Sequence, residues 1–313
     1  MFSAVFIVLV IIYFWLFVKV KEEAKPKFYG TVPPYPNFNA SSDASVLQSA
    51  IEKVDVDVIV AILVKRNNEQ RQKIKAVYES SSGKNLVKSL KSVLRSDVED
   101  VILALLMPPA HFDAFLLRRA TKGVGTDEDV LVEVLATRSY AEIQEIKKVF
   151  KQEYQKELEE VIKDETSGDF TAALLAMLNT KRDQNTVVDM ELARKDAKIL
   201  FEAGEGIGKA NVSTFINILT TRSGPQLSKS GAALTGDRVT PGLLVHLVHF
   251  LSYQGHGTRD EALIRILVSR SEVDLQKVVE EYRAMFEKTL HEDVMNDTKG
   301  HYQKVLLALC GPN

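Results

Sequence analysis

The sequence predicts an all-α protein assembled from repeated helical units, and three observations carry that prediction. First, four segments echo one another: "ILVKRNNEQRQKIKAVY", "VLATRSYAEIQEIKKVF", "ILTTRSGPQL" and "ILVSRSEVDLQKVVEEY". Each is an apolar run ending in an arginine (Arg66, Arg138, Arg222, Arg270), followed by a polar turn and, in three of the four, a full amphipathic run. Second, apolar residues recur at helical spacing. Ile143, Ile146 and Phe150 fall at i, i+3 and i+7, and Leu131, Val134 and Leu135 at i, i+3 and i+4, while no run sustains strand-type alternation. Third, the breaks "SSSGK", "ETSGD" and "NDTKG" have the Gly, Ser and Asp that short helix–helix connections use. A unit of about 70 residues is too small to bury its own apolar face, so neighbouring units must pack together.

Taken from the N-terminus, Phe2 to Val18 is apolar apart from Ser3 and is followed by Lys19, Lys21, Lys25 and Lys27. Its length is at the short end of a membrane span, and the flanking lysines favour a cytoplasmic C-terminal side. Two readings fit it: a membrane anchor, or an N-terminus foreign to the fold. The first two units follow, each closed by a second echo, "VILALLMPP" and "ALLAMLNTK", which returns as "VLLALCGPN" at the C-terminus. The third unit breaks the pattern. Ser228 to Tyr253 has no counterpart of the second half of a unit, although Pro241 to Leu251 reads as one apolar helix. His246 and His249 lie three apart there without a further ligand nearby, the pattern of ordinary helix-face histidines.

Charge and cysteine content narrow the function. With 40 basic and 42 acidic residues the net charge is −2, which argues against binding nucleic acid or anionic lipid through bulk positive charge. The lone cysteine, Cys310, allows no internal disulfide and suits a reducing compartment. Sequons at Asn39, Asn211 and Asn296 are common by chance. No nucleophile–base pair stands out, so the sequence does not read as an enzyme.

One motif carries chemistry. "TKGVGTDED" (Thr121 to Asp129) returns as "YQGHGTRDE" (Tyr253 to Glu261). Thr126 and Thr258 read as helix N-caps, so a capped helix alone accounts for much of the pattern. A phosphate loop lacks its Gly-Lys-Ser/Thr, and "VDVDVIV" lacks the alternating oxygens of an EF-hand. A second spacing raises the loop above a cap: Glu165 stands forty residues after Gly125, and Asp297 forty after Gly257. A glycine loop turns carbonyls toward a hard cation, and one distant carboxylate completes the protein's share of a calcium site. The remaining coordination positions suit a lipid phosphate oxygen.

These repeats resemble annexins from about residue 34 onward. "PYPNFNASSD", "KRNNEQRQKIKAVYE", "KGVGTDED", "ETSGDF", "ILTTRSGPQL" and "ALIRILVSRSEVD" look most like the lipocortin branch. The resemblance implies four five-helix repeats in a curved disc that binds acidic phospholipid membranes through Ca2+, cytoplasmic residence with recruitment to membranes, and phospholipase A2 inhibition. A constitutively anchored helical scaffold using the N-terminal stretch is the competing reading. The implied layout is an atypical segment 1–33 with its apolar stretch 2–18, repeats at 41–109 and 113–181, a truncated third at 197–242 and a fourth at 243–313.

The resemblance also implies site residues. In the second repeat these are the carbonyls of Thr121, Gly123 and Gly125 with Glu165, and Thr126 and Glu128 match a secondary cation position. In the fourth they are Tyr253, Gly255 and Gly257 with Asp297. The first repeat's loop, "EKVDVDV", is two residues shorter and lacks glycine, but an accessory site remains in the Lys91 and Leu94 carbonyls with Glu99. The third keeps Gly204, while its partner acid falls where family sequence is missing; the interval from Gly125 to Gly257 is about 27 residues short. The amphipathic N-terminal helix usual in this branch is lacking.

Overall fold

A computed structural model describes residues 28–123, 125–183, 185–204, 212–235 and 260–312. Seventeen helices and no strand occur among them, in agreement with the all-α expectation. The first unit is α1 (Ala40–Lys53), α2 (Val56–Leu63), α3 (Asn68–Ser82), α4 (Leu86–Val93) and α5 (Ser96–Leu106). The second is α6 (Pro109–Ala120), α7 (Glu128–Thr137), α8 (Tyr140–Tyr154), α9 (Leu158–Glu165) and α10 (Gly168–Asn179). The third supplies α11 (Met190–Gly204), α12 (Val212–Thr221) and α13 (Gly224–Thr235). The fourth supplies α14 (Asp260–Arg270), α15 (Leu275–Phe286), α16 (Leu290–Asp297) and α17 (Gly300–Cys310). The Phe2–Val18 stretch, the Leu243–Leu251 run, His246 and His249 lie outside the described residues, among which no helix is long and apolar enough to cross a membrane.

The chain divides into two compact bodies, one holding the first and fourth units, the other the second and third. In the first body α5 packs on α14 and α17, and α17 returns onto α2. In the second, α10 packs on α12, and α11 on α13. The same positions in a unit make the unit–unit contact each time. The reason is local: Leu131 and Val134 on α7, Leu174 and Leu178 on α10, and Leu263 and Leu267 on α14 are all fully buried. Full burial of one such side chain stabilises by about 1.5–3 kcal/mol.

Caps set where the longest helices begin and end. The Asn67 side chain accepts from Gln70 N at 3.0 Å while Gln70 Oε1 accepts from Asn67 N at 3.2 Å, and Ser139 with Glu142 repeats this at α8. Helices α3, α8 and α15 then stop at a left-handed residue, Gly83, Gln155 and Glu287 respectively.

The four aligned arginines stand at or just beyond the end of the second helix of each unit, and three of them do the same work. Arg66 grips Asp43 at 2.7 and 2.9 Å, Arg138 grips Asp113 at 2.7 and 2.8 Å, and Arg222 grips Asp196 at 2.7 and 3.1 Å. In each case the guanidinium ties the second helix to the first through a forked pair, buried in the first two units and part-buried in the third. Arg270 departs. It bonds Asp274, four residues onward, with both nitrogens. Asp274 holds the place that Gln70 and Glu142 fill in their capping boxes, and α15 begins only at Leu275, with no side-chain cap from Asp274. The sequence stretch that would supply an upstream acid, 244–247, reads Leu-Val-His-Leu.

The uncapped turn at 271–274 takes another partner. Ser271 O accepts from Thr31 N at 2.7 Å and Val32 N at 3.0 Å. Gly30 lets the chain pass, since a Cβ there would lie 2.7 Å from Ser271 O.

Candidate functional site

In the second unit the predicted loop joins α6 to α7, and the predicted carboxylate ends α9. Thr121 is buried and its hydroxyl donates back to Leu117 O at 2.9 Å, which leaves its carbonyl beyond the end of the helix. Gly123 and Gly125 follow with φ of +121° and +88°. Nothing lies within 4 Å of where a Cβ would sit on either, so they are glycine for backbone conformation and not for lack of room. Among the described residues none of the carbonyls of Thr121, Gly123 and Gly125 accepts a hydrogen bond, and the exposed Glu165 carboxylate has no partner.

Thr126 brings the two halves together. Its hydroxyl donates to the Glu165 carbonyl at 3.0 Å across 39 residues of chain. The expectation that Thr126 caps the next helix is corrected here: Asp127 is the N-cap, accepting from Val130 N at 3.3 Å. Thr126 is one residue too early to reach the first free amides of α7, and it is drawn to the end of α9 instead. Glu128 is the first residue of α7 and is exposed without a partner. Unpaired carbonyls beside one carboxylate are hard oxygen donors, the set that calcium takes and that softer metals take less readily. Groups of three or more His, Cys, Asp or Glu able to hold a metal do not occur among the described residues. A site built from carbonyls and one acid contains no such group.

In the fourth unit Asp297 ends α16 as Glu165 ends α9. Thr166 and Thr298 repeat the next turn, their hydroxyls donating to Ile162 O at 2.6 Å and Val294 O at 2.5 Å. Tyr253, Gly255, Gly257 and Thr258 lie outside the described residues, as do most of the residues that follow Gly204, the last residue of α11.

The first unit keeps the frame of the loop but not its glycines or its carboxylate. The bond that closes the loop runs from Asp127 N to Ala120 O in the second unit, and from Asp55 N to Ala50 O in the first. Asp55 also caps α2 as Asp127 caps α7, so the loop is shorter by the two residues the sequence suggested. Val54 sits at its tip in the left-handed region, 57% exposed. A left-handed residue opens the last helix of three units, Ser96, Gly168 and Gly300. Three places before it stand Glu165, Asp297 and, in the first unit, Val93. The Lys91 and Leu94 carbonyls both accept from Arg95 Nη1, at 2.9 and 2.6 Å, and Glu99 lies half-buried in the first turn of α5 without a partner.

The sequence reading missed Asp43, Asp113 and Asp196. Their signal was present: an acid 23 to 26 residues before each of the first three arginines.

Helical units in which the second helix of one packs on the last helix of its neighbour, with a glycine loop held at the end of α9, define a helical-repeat protein. Comparison with known proteins makes this specific. The annexin family model matches residues 42–105, 112–177 and 251–309. Human annexin A1 is 41% identical, the match covering 95% of this chain and 94% of that one. Among solved structures, annexin III superposes with a TM-score of 0.84 at 35% identity, covering 93% of this chain and 100% of that one. A calcium-bound annexin (Sm)1 superposes at 0.77 with 26% identity, covering 96% and 97%. The chain belongs to the annexin family.

Proposed function

We propose that this protein binds acidic phospholipid membranes in a calcium-dependent manner, through the Thr121–Thr126 loop with Glu165 and the corresponding residues around Asp297. The observation that carries the reading is the Thr126 hydroxyl bonded to the Glu165 carbonyl, which holds the loop beside the end of α9. Thr121, Gly123 and Gly125 would offer carbonyls to Ca2+, Glu165 its carboxylate, and Thr126 and Glu128 a neighbouring position. Bound there, calcium supplies open coordination positions for a lipid phosphate oxygen. So few charged ligands imply weak affinity for calcium alone, about 10⁻⁵ to 10⁻³ M. Lipid and calcium then tighten one another by linkage. The chain would reside in the cytoplasm and move to membranes as calcium rises. Covering acidic lipid would also withhold substrate from a phospholipase A2, an inhibition that added substrate relieves.

Co-sedimentation with phosphatidylserine vesicles tests the proposal. Wild-type protein should pellet with calcium and stay in solution with chelator, and Glu165→Gln combined with Asp297→Asn should lose most calcium-dependent binding. Binding indifferent to chelator, or full binding by the double variant, refutes it.

A further inference from the structure

We infer that Arg95 is the first unit's own cation: its guanidinium occupies the carbonyl pair at which calcium would otherwise enter that unit. This rests on the proposed calcium-dependent function and concerns how many sites the chain offers. The contrast between the two units is the argument. In the second, the matching carbonyls, those of Lys163 and Thr166 at the end of α9, accept no hydrogen bond among the described residues, and Ser167 stands where Arg95 stands. In the first, Arg95 Nη1 bonds Lys91 O at 2.9 Å and Leu94 O at 2.6 Å, and Nη2 bonds Ser92 O at 3.1 Å. These are the last carbonyls of α4, and no following helix residue can satisfy them.

Three further features point the same way. The loop glycines are gone, with Val54 at the tip of a loop two residues shorter. Val93 stands where the second and fourth units place a carboxylate, so negative charge comes only from the first turns of α5, where Glu99 has no partner. The backbone turns at Ser96 with φ +56°, as Gly168 and Gly300 turn, so Arg95 holds the same place before α5 that Ser167 and Lys299 hold before α10 and α17. A guanidinium carries its charge on a tether and needs no ion from solution, so the terminus of α4 stays neutralised at any calcium level. Calcium enters only by displacing it. The Glu99 carboxylate, which has no partner, is the group that would hold an ion once the carbonyls were released.

Equilibrium dialysis of the full chain with radioactive calcium and phosphatidylserine vesicles reads this directly. Arg95→Ala should bind about one more calcium per chain than wild type over the same calcium range. The Arg95→Ala/Glu99→Gln double variant should lose that extra ion. Lys88→Ala removes a nearby positive charge on α4 without freeing a carbonyl, and should match wild type. Equal stoichiometry in wild type and Arg95→Ala overturns the inference while leaving the calcium-dependent function intact. An equal gain in Lys88→Ala also overturns it, by assigning the effect to net charge. Absence of calcium from every variant removes the functional reading and this inference with it.

Discussion

Replacing Asp113 with alanine should leave a buried cation without its counter-charge, and the structure sets the size of the loss. The Arg138 side chain is 8% exposed and that of Asp113 6%, joined by two bonds of 2.7 and 2.8 Å. Burial pulls the Arg138 guanidinium down, and the charge and hydrogen bonds of Asp113 more than restore it, so its pKa is raised overall. Breaking one half of such a pair costs about 3–5 kcal/mol, most of it the penalty of the uncompensated charge. For a body of this size each kcal/mol moves the midpoint by about 2–4 °C, so Asp113→Ala should unfold roughly 10 °C lower. Helical circular dichroism during thermal and urea unfolding measures it. The companion variant Asp113→Leu/Arg138→Met removes both charges and should recover most of the loss, to within about 1–2 kcal/mol of wild type. A single-variant loss under about 1 kcal/mol, or a double variant no better than the single, refutes the reasoning. Asp274→Ala should cost about half as much, because the Asp274 side chain is 24% exposed and its pair with Arg270 spans one helical turn only.

Three other changes follow from local chemistry. Val54 holds φ 57° and ψ 36°, which costs a side-chain-bearing residue about 1–2 kcal/mol. Val54→Gly should therefore raise stability by about 0.5–1 kcal/mol in urea unfolding, after the greater freedom of glycine in the unfolded chain is subtracted. A loss of stability would show that the loop is not strained there. Burial raises the Glu272 carboxyl above its usual 4.5, with the Arg71 charge pulling back. A raised folded value means stability that is present below the unfolded pKa and lost as pH rises through the folded one. Wild type should thus gain on Glu272→Gln between neutral pH and pH 4.5, and a difference that is flat or grows with pH contradicts this. Burial also pushes the Cys310 thiol up to about 12, so Ellman's reagent should label it only after denaturation; rapid labelling of the native chain would place it at the surface.

The helical class was legible because apolar spacing and glycine breaks repeat in register, and each of those signals is local. Leu131, Val134 and Leu135 had to share a helix face, and they are buried together on α7. The Gly125-to-Glu165 step was also legible, since it recurs. What the sequence could not settle was which of two neighbouring residues does which job. Thr126 and Asp127 are both good caps, and the choice between them depends on the end of α9, far along the chain, which offers Thr126 a carbonyl. The same limit hid Arg95. An arginine after a helix shows nothing of its partners in sequence, and only the fold turns Arg95, still exposed, onto the carbonyls of α4.

The Arg270 pair shows how a change in one stretch of sequence propagates through ordinary forces. A buried guanidinium must find a carboxylate, and in three units an acid 23 to 26 residues upstream provides it. In the fourth, 244–247 has no acid, so Arg270 takes the nearest one, Asp274. That acid is no longer available to cap the next helix, and the helix yields a turn: α15 starts five residues after its arginine, where α3 and α8 start two after theirs. The freed Ser271 carbonyl then binds Thr31 and Val32, and Glu272, released from the helix, reaches Asn68 N at 2.7 Å and Arg71 at 3.3 Å in the first unit. Each step satisfies a group that the previous step exposed, so the altered third-to-fourth junction ends as a set of bonds between the fourth unit, the first unit and the segment that precedes it.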